Sequence, residues 1–144
     1  MREIEFRGFS FGDGPDLVRI AGPDGSARFR WGRWLTGSLV LWADRDASLL
    51  RSDPDDDRDH LSQYFVLPET VGEWTGYYDS HSRRIYEGDL VRFERAIYRV
   101  ELWQGCWCLR PLWGDRPALV SKVYPDLTVV GTVYDPEVTG DDRA

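Results

Sequence analysis

The chain contains a small set of residues that could act together as zinc ligands, namely Cys106, Cys108, His60 and His81. Zinc sites are usually tetrahedral and are built from cysteine and histidine side chains. Cys106 and Cys108 are two residues apart on a predicted strand, so both thiols should point to the same face. However, neither histidine is paired with another, and the Cys-x-Cys pair has no second pair. We therefore predict no metal site and expect both cysteines to be small buried side chains beside Trp107.

An acidic segment covers residues 53–59 and has the alternating carboxylates of a calcium loop. Asp53, Asp55 and Asp57 fall at positions 1, 3 and 5 of such a loop. Position 6 is then Arg58 where glycine is needed, and position 12 is Tyr64 where a bidentate Glu is needed, which excludes this site. Two interpretations remain, a solvated loop or a charged surface that competes for an arginine-rich site on a partner. In the second, the partner-binding residues are Asp53, Asp55, Asp56, Asp57 and Asp59.

Two carboxylates flank a glycine in Glu87-Gly88-Asp89. Acid–base catalysis by such a pair requires two environments that separate their pKa values, and the sequence gives no sign of them. A turn explains the same residues, because Gly88 tolerates a backbone conformation that other residues resist and Asp89 can hydrogen-bond the backbone. We predict a structural turn here and interpret Thr75-Gly76 in the same way, so no catalytic residue is assigned.

The segment from Arg28 to Trp34 reads Arg-Phe-Arg-Trp-Gly-Arg-Trp. On an exposed strand, such arginines contact phosphates and such aromatic rings stack on bases. Strand alternation offers a simpler interpretation, in which Phe29 and Trp31 face the core while Arg28 and Arg30 face water. If the strand binds nucleic acid instead, its contact residues are Arg28, Arg30, Trp31, Arg33 and Trp34.

Short apolar or alternating runs separated by turn residues predict a mainly β fold of antiparallel strands with little helix. In the N-terminal part, Gly22-Pro23-Asp24-Gly25 predicts a turn between strands at 16–20 and 27–31. Runs at 90–93, 97–103, 106–112 and 127–134 predict a meander that closes into a small C-terminal β-barrel. Its inward residues should include Val91, Phe93, Tyr98, Val100, Leu102 and Val133.

The acidic segment divides this plan into two predicted lobes of one compact domain. Residues 1–60 form an N-terminal β region that ends in the acidic segment, and residues 61–144 form the barrel followed by an acidic tail. A chain of 144 residues that is 42% hydrophobic can form such a core.

The net charge of −7 is concentrated at 44–59, at 60–82 and in the tail. Because phosphate backbones attract clustered Lys and Arg, we do not expect a general nucleic-acid binder. No apolar run approaches the roughly 20 residues of a membrane span, and charged residues follow Met1 at once. We therefore expect a soluble cytosolic protein, without a membrane partner and without a disulfide framework.

Three segments carry motifs that occur in this order along the chain. Residues 1–7 read Met-Arg-Glu-Ile-Glu-Phe-Arg, residues 74–91 contain Trp-Thr-Gly-x-x-Asp followed by Ile-Tyr-Glu-Gly-Asp-x-Val, and residues 130–137 read Val-Gly-Thr-Val-Tyr-Asp-Pro-Glu. Together they resemble the hallmark of the YopX family of phage-encoded proteins. The resemblance implies a small, mainly β protein of a phage or prophage, with no established catalytic activity.

The functional expectation is a non-enzymatic phage or prophage accessory protein that uses no cofactor. The sequence has no phosphate-binding glycine loop, no Gly-x-Ser-x-Gly and no His-Glu-x-x-His. Its seven tryptophans exceed what a small core readily buries, and exposed aromatic side chains beside arginine mark protein-binding surfaces. We expect it to bind a host protein, for example as a counter-defence inhibitor of a CRISPR nuclease. Alternatives are a nucleic-acid-associated protein that uses the arginine-aromatic strand and, more weakly supported, a small metal-dependent enzyme.

Overall fold

A computed structural model describes residues 3–52, 61–112 and 118–136 of the chain. It confirms the mainly β class with antiparallel strands and little helix. One four-residue helix, α1 (Val120–Val123), and a 3-10 turn (Tyr124–Asp126) lie between the last two strands. The strands are β1 (Phe6–Ala21), β2 (Ala27–Leu41), β3 (Ala47–Ser52), β4 (Leu61–Tyr78), β5 (Arg84–Tyr86), β6 (Asp89–Phe93), β7 (Ala96–Trp103), β8 (Cys106–Pro111), β9 (Ala118–Leu119) and β10 (Thr128–Thr132).

The chain forms two compact units that divide between Glu73 and Trp74, within β4. The first unit comprises residues 3–73, and the second contains the described residues from Trp74 onward. The sequence placed the lobe boundary near residue 60, at the acidic segment. No helix in the described ranges is long and apolar enough to cross a membrane.

In the first unit, four strands form a partly closed antiparallel sheet. Each of β1, β2 and β3 pairs with the next strand, and β4 returns to pair with the start of β1. A buried hydrogen bond of 2.9 Å from the Phe9 N–H to Thr70 Oγ1 supports this return. Apolar side chains fill the interior, with Leu35, Ala47, Leu49 and Val66 at its centre.

The β1–β2 hairpin extends well past the part of β2 that pairs with β3. That pairing covers only Ser38 to Leu41 of β2, whereas β1 and β2 remain paired as far as Ala21 and Ala27. The turn at the end is the one predicted from Gly22-Pro23-Asp24-Gly25. Asp24 Oδ1 accepts the Ser26 N–H at 3.0 Å, and Gly25 has the positive φ of +84° that glycine tolerates.

In the second unit, the strand order of the sheet is β10-β6-β7-β8-β9. The predicted meander is present as β6, β7 and β8, but closure into a clear barrel is not. In the described parts of the chain, β9 and β10 lie at opposite edges of the sheet. The physical reason lies in the connection between them, because its residues Val120 and Leu127 are fully buried in the core. A helical connection thus supplies apolar cover that barrel closure would otherwise provide.

The core of the second unit is formed by Ile85, Val91, Val100, Leu109, Val120 and Leu127. Of the six residues predicted to point inward, Val91 and Val100 are fully buried, while Phe93, Tyr98 and Val133 are half-buried. The prediction for Leu102 is wrong, because this residue is 51% exposed. It pairs with Trp107 beside the turn that joins β7 to β8, at the end of the sheet. Alternation correctly assigns which side chains share a face of the strand. It does not show how far along that face the packed core extends.

Candidate functional site

The Glu87-Gly88-Asp89 segment forms a structural turn, as predicted. Asp89 is fully buried, and its Oδ2 accepts the Tyr86 N–H at 2.8 Å. Gly88 has φ of +90°, and its N–H donates to the Val100 carbonyl at 2.9 Å. The Asp89 carboxylate therefore bonds back to β5, which precedes the turn. This carboxylate acts as a backbone acceptor inside the core, which accounts for its place in the motif.

Thr75-Gly76 is structural in the same sense. Thr75 Oγ1 donates to the Ile85 carbonyl at 2.8 Å and accepts the Tyr77 N–H at 3.2 Å. Gly76 has φ of +90°. Beside it, Trp74 is buried and its indole donates to the Tyr77 carbonyl at 3.1 Å. These side chains fix the end of β4 against β5, so their role is structural.

Asp79 connects two backbone segments of the second unit, the turn after β4 and strand β10. Its Oδ1 accepts the N–H groups of His81 at 2.8 Å and Arg83 at 2.9 Å, and its Oδ2 accepts the Val129 N–H at 2.9 Å. Burial raises the pKa of Asp79, but the hydrogen bonds from Val129, Arg83 and His81 outweigh it and hold the pKa below its ordinary value. Asp79 thus remains an ionised structural acceptor.

The two cysteines have different environments, and the expectation that both are buried is wrong for Cys106. Cys108 is 2% exposed, whereas Cys106 is exposed at the first residue of β8, next to the β7–β8 turn. Burial raises the pKa of the Cys108 thiol, with smaller contributions from Cys106 and Glu101. Cys106 borders a pocket of about 230 Å³ whose wall also includes Trp107 and Leu119.

Metal ligands do not gather within residues 3–52, 61–112 and 118–136, where no three Cys, His, Asp or Glu side chains could hold one ion. His81 is exposed in the turn after β4, and its Nδ1 lies 3.3 Å from Ser80 Oγ. His60 lies outside the described residues, and so do the predicted partner-binding residues Asp53, Asp55, Asp56, Asp57 and Asp59. The absence of a metal site therefore stays a prediction.

Phe29 and Trp31 point away from the core, so the inward interpretation of this strand is wrong. Phe29 is 51% exposed and Trp31 is 59% exposed. Both share a face of β2 with Leu35, which is buried because β3 and β4 lie beside it. By Phe29 and Trp31 the hairpin has passed the part of β2 that pairs with β3. The same face therefore changes from core to surface along one strand.

The opposite face of β2 holds three of the five residues predicted for nucleic-acid binding. Arg28 pairs with Glu69 across 3.2 Å, and Arg30 Nη1 donates to the Phe29 carbonyl at 3.0 Å. Trp34 packs edge-on against Phe9, with ring centroids 5.3 Å apart. The five predicted residues are thus divided between two faces of the hairpin. Only Trp31 and Arg33 lie on the face that carries Phe29.

We call this surface the aromatic face and define it by five side chains that share one side of the hairpin. Arg19 lies opposite Phe29, and Leu17 lies opposite Trp31 in the β1–β2 register. Directly opposite residues of an antiparallel pair have Cβ atoms about 4.5–5.5 Å apart, so their side chains form one continuous surface. Its members are Leu17, Arg19, Phe29, Trp31 and Arg33.

Arg33 is positioned at the end of the aromatic face that lies nearer the core. Its guanidinium carbon lies 5.6 Å from the centroid of the Tyr64 ring, within the range of a cation–π contact. Tyr64 packs against the core of the first unit. A residue packed on the core thus supports one cation of the aromatic face, while Arg33 itself remains an exposed residue.

A second exposed aromatic pair was not predicted from the sequence. Trp42 and Phe65 stack with ring centroids 6.4 Å apart, and they are 43% and 55% exposed. The Trp42 indole donates to Oγ of the buried Ser48 at 3.1 Å. The sequence signal for this contact was Ser48, which lies between the apolar residues Ala47 and Leu49. A hydroxyl buried there needs a hydrogen-bond partner. This pair covers a buried hydroxyl, so it has a structural role that Phe29 and Trp31 lack.

Comparison with known protein families gives a match over most of the chain. The family model described as YopX protein matches residues 39–138. The matched region includes the turn at Gly88, the Asp79 acceptor and β10. No curated protein matches the chain. The motif at residues 74–91 lies within the matched region, and its Thr75, Asp79 and Asp89 side chains hydrogen-bond the backbone of the second unit.

Proposed function

Because this chain belongs to the YopX protein family, which is associated with phages and prophages, we propose that it is a non-enzymatic accessory protein that binds a host protein. The observation that carries the proposal is the exposure of Phe29 and Trp31 beside Arg19 and Arg33 on the aromatic face. Tryptophan and arginine are enriched among the residues that dominate protein–protein binding energies.

The magnitude of the burial supports a binding role for this pair. Burying a fully exposed large apolar side chain contributes about 1.5–3 kcal/mol. Phe29 and Trp31 are each only a little over half exposed, so together they supply about 1.5–3 kcal/mol. A micromolar complex requires about 8 kcal/mol. The aromatic pair is therefore an anchor, and the arginines beside it must contribute further contacts.

A nucleic-acid partner is the second candidate, and the exposure of Trp31 beside Arg33 favours it more than the sequence did. Two observations support a protein partner over a nucleic-acid partner. Arg28 and Arg30 lie on the other face, where Arg28 pairs with Glu69 and Arg30 bonds its own strand. The aromatic face also carries only two arginines, Arg19 and Arg33, whereas phosphate backbones attract larger clusters of Lys and Arg.

The non-enzymatic part of the proposal rests on how the reactive side chains are used. Asp79 and Asp89 accept backbone N–H groups, and Thr75 bonds backbone on both sides. The Cys108 thiol is buried, and its raised pKa disfavours the thiolate. These groups support the fold, and an accessory protein of this kind acts by occupying a surface of its partner in the host cytosol.

Inhibition of a host defence system is the specific activity that we propose. Phage-associated families act inside a bacterium that defends itself, and a small binding protein can block a defence enzyme, for example a CRISPR nuclease, by covering its surface. The acidic segment at 53–59 offers a second contact, because its carboxylates would steer a separate, basic patch of the partner.

The experiment is an affinity capture of the tagged protein from lysate of its host, with and without nuclease treatment. We expect one host protein to be recovered in both conditions and to be lost for the double variant Phe29→Ser, Trp31→Ser. Leu102→Ser is the matched control, because Leu102 is also 51% exposed but lies in the second unit. Capture that depends wholly on nucleic acid would select the second candidate. Equal loss in the control would remove the aromatic face from the proposal.

A further inference from the structure

The aromatic face has a composition unlike that of the chain as a whole. Between the Gly8–Leu35 pair and the turn at residues 22–25, the same side of the hairpin holds eight residues by register, four in each strand. Two of them are arginines, two are aromatic and none is a carboxylate, although the chain carries a net charge of −7. The eight residues are Ser10, Leu17, Arg19 and Ala21 of β1 and Ala27, Phe29, Trp31 and Arg33 of β2.

The two arginines lie at the ends of the aromatic pair. Arg19 is directly opposite Phe29, and Arg33 is four residues further along β2. A strand rises about 3.3 Å per residue, so the backbone positions of the two arginines lie about 13 Å apart along the hairpin. Trp31 lies midway between them along β2. Along the face, the Arg19–Phe29 pair is therefore followed by Trp31 and then by Arg33.

An extended polypeptide has the same repeat as this surface. Its side chains alternate, so residues i, i+2 and i+4 point to one side and span about 13 Å. Carboxylates at i and i+4 would reach Arg19 and Arg33, and an apolar side chain at i+2 would lie on Trp31. On the other face of the hairpin, Arg28 pairs with one carboxylate of an extended strand, Glu69 of β4, at 3.2 Å.

We infer that the aromatic face binds an extended acidic segment of the partner, with carboxylates four residues apart on either side of an apolar residue. This inference rests on the proposed function, since it specifies the part of the host protein that is contacted. Arg19 and Arg33 provide charge-assisted hydrogen bonds, and Phe29 and Trp31 provide the apolar contact. Arg33 keeps its orientation through Tyr64, so less side-chain freedom is lost on binding.

The test uses the full chain and three labelled probes in fluorescence anisotropy. The first is a short fluorescein-labelled peptide with Glu at i and i+4 and Leu at i+2, the second is the same peptide with Lys in place of Glu, and the third is an oligo-dT of about 15 nucleotides. We expect the acidic peptide to bind and the lysine peptide to bind at least about tenfold more weakly. Binding of the acidic peptide should weaken as salt rises.

The double variant Arg19→Gln, Arg33→Gln should bind the acidic peptide about tenfold more weakly, as expected for the loss of two exposed ion pairs. Arg95→Gln is the matched control, because Arg95 is exposed in the β6–β7 turn of the second unit, and it should bind like the parent. Equal affinity for the acidic and lysine peptides, or an unchanged affinity of the double variant, would overturn the inference.

Tighter binding of oligo-dT, lost in the same double variant, would also overturn it and identify a nucleic-acid surface. Failure here is distinguishable from failure of the proposed function. If the host protein is still captured by the double arginine variant but not by the Phe29→Ser, Trp31→Ser variant, the protein-binding proposal stands and the acidic-segment inference does not.

Discussion

The carboxylate of Asp79 accepts the backbone N–H of Val129 at 2.9 Å, and this bond joins the residue after β4 to a strand fifty residues further along the chain. The other oxygen of Asp79 holds the following turn through His81 and Arg83. One side chain thus fixes both a local turn and a distant strand. Because Asp79 belongs to the matched family motif, its geometry indicates that this part of the motif maintains the fold.

Asp79→Asn should lower the free energy of unfolding by at least about 2 kcal/mol. The carboxylate accepts three backbone N–H groups, and hydrogen bonds to charged groups contribute about 1.5–3 kcal/mol each. The amide nitrogen would turn a donor toward at least one of these N–H groups. Urea denaturation of both proteins measures the difference. Asp126→Asn, at an exposed carboxylate, is the control, and an equal effect there would contradict the assignment.

The same carboxylate predicts a dependence of stability on pH. Burial raises the pKa of Asp79, but the backbone donors outweigh it, so the folded-state pKa lies below the ordinary value. The folded state then binds this proton less readily than the unfolded state does, and the stabilisation is present above the unfolded pKa. It is lost as pH falls through the folded pKa, in the region below about pH 4.

Urea midpoints from pH 6 downward should therefore show the parent approaching Asp79→Asn as the solution becomes more acidic. A stability difference that stays constant over that range would show that the Asp79 charge contributes nothing.

Two leucines of the second unit provide a test of the sheet assignment. Leu109 is fully buried in β8, whereas Leu102 is 51% exposed on the neighbouring strand. Leu109→Ala should cost about 2–5 kcal/mol, while Leu102→Ala should change the free energy of unfolding by less than about 1 kcal/mol. Thermal and urea unfolding of both variants give the comparison. Similar costs for the two would mean that the core ends elsewhere than between Val100 and Leu102.

The cysteines should differ in reactivity in the folded protein. Cys106 is exposed, whereas Cys108 is 2% exposed and has a raised pKa because of its burial. The thiolate is the reactive form, so one thiol per chain should react quickly with a disulfide reagent and the second only after unfolding. Cys106→Ser should remove the fast reaction. A fast reaction that persists in Cys106→Ser would show that Cys108 is accessible.

Local chemistry explains what the sequence could predict. The turns at Gly25 and Gly88 follow from the positive φ that glycine tolerates and from a neighbouring aspartate that bonds the backbone, and both lie where the sequence placed them.

The burial of a strand face is harder to predict from the sequence, because it depends on where the neighbouring strands end. Alternation places Trp31 and Leu35 on one face, yet one is exposed and the other buried, since β3 pairs with β2 only from Ser38 onward. The prediction of a closed barrel was wrong for a related reason. The connection that covers the sheet through Val120 is helical, but it is too short to show a helical repeat of apolar residues in the sequence.

Substitutions on the aromatic face should have little effect on the free energy of unfolding. This distinguishes a binding surface from a part of the hydrophobic core. Phe29→Ser and Trp31→Ser remove side chains that are more than half exposed, so together they should lower the free energy of unfolding by no more than about 2 kcal/mol. Phe9→Ala, at a fully buried ring on the same hairpin, should cost about 3–5 kcal/mol. Urea denaturation of the three variants decides the matter. If Phe29→Ser and Trp31→Ser cost as much as Phe9→Ala, these rings are part of the core, and any loss of partner capture in the double variant reflects unfolding.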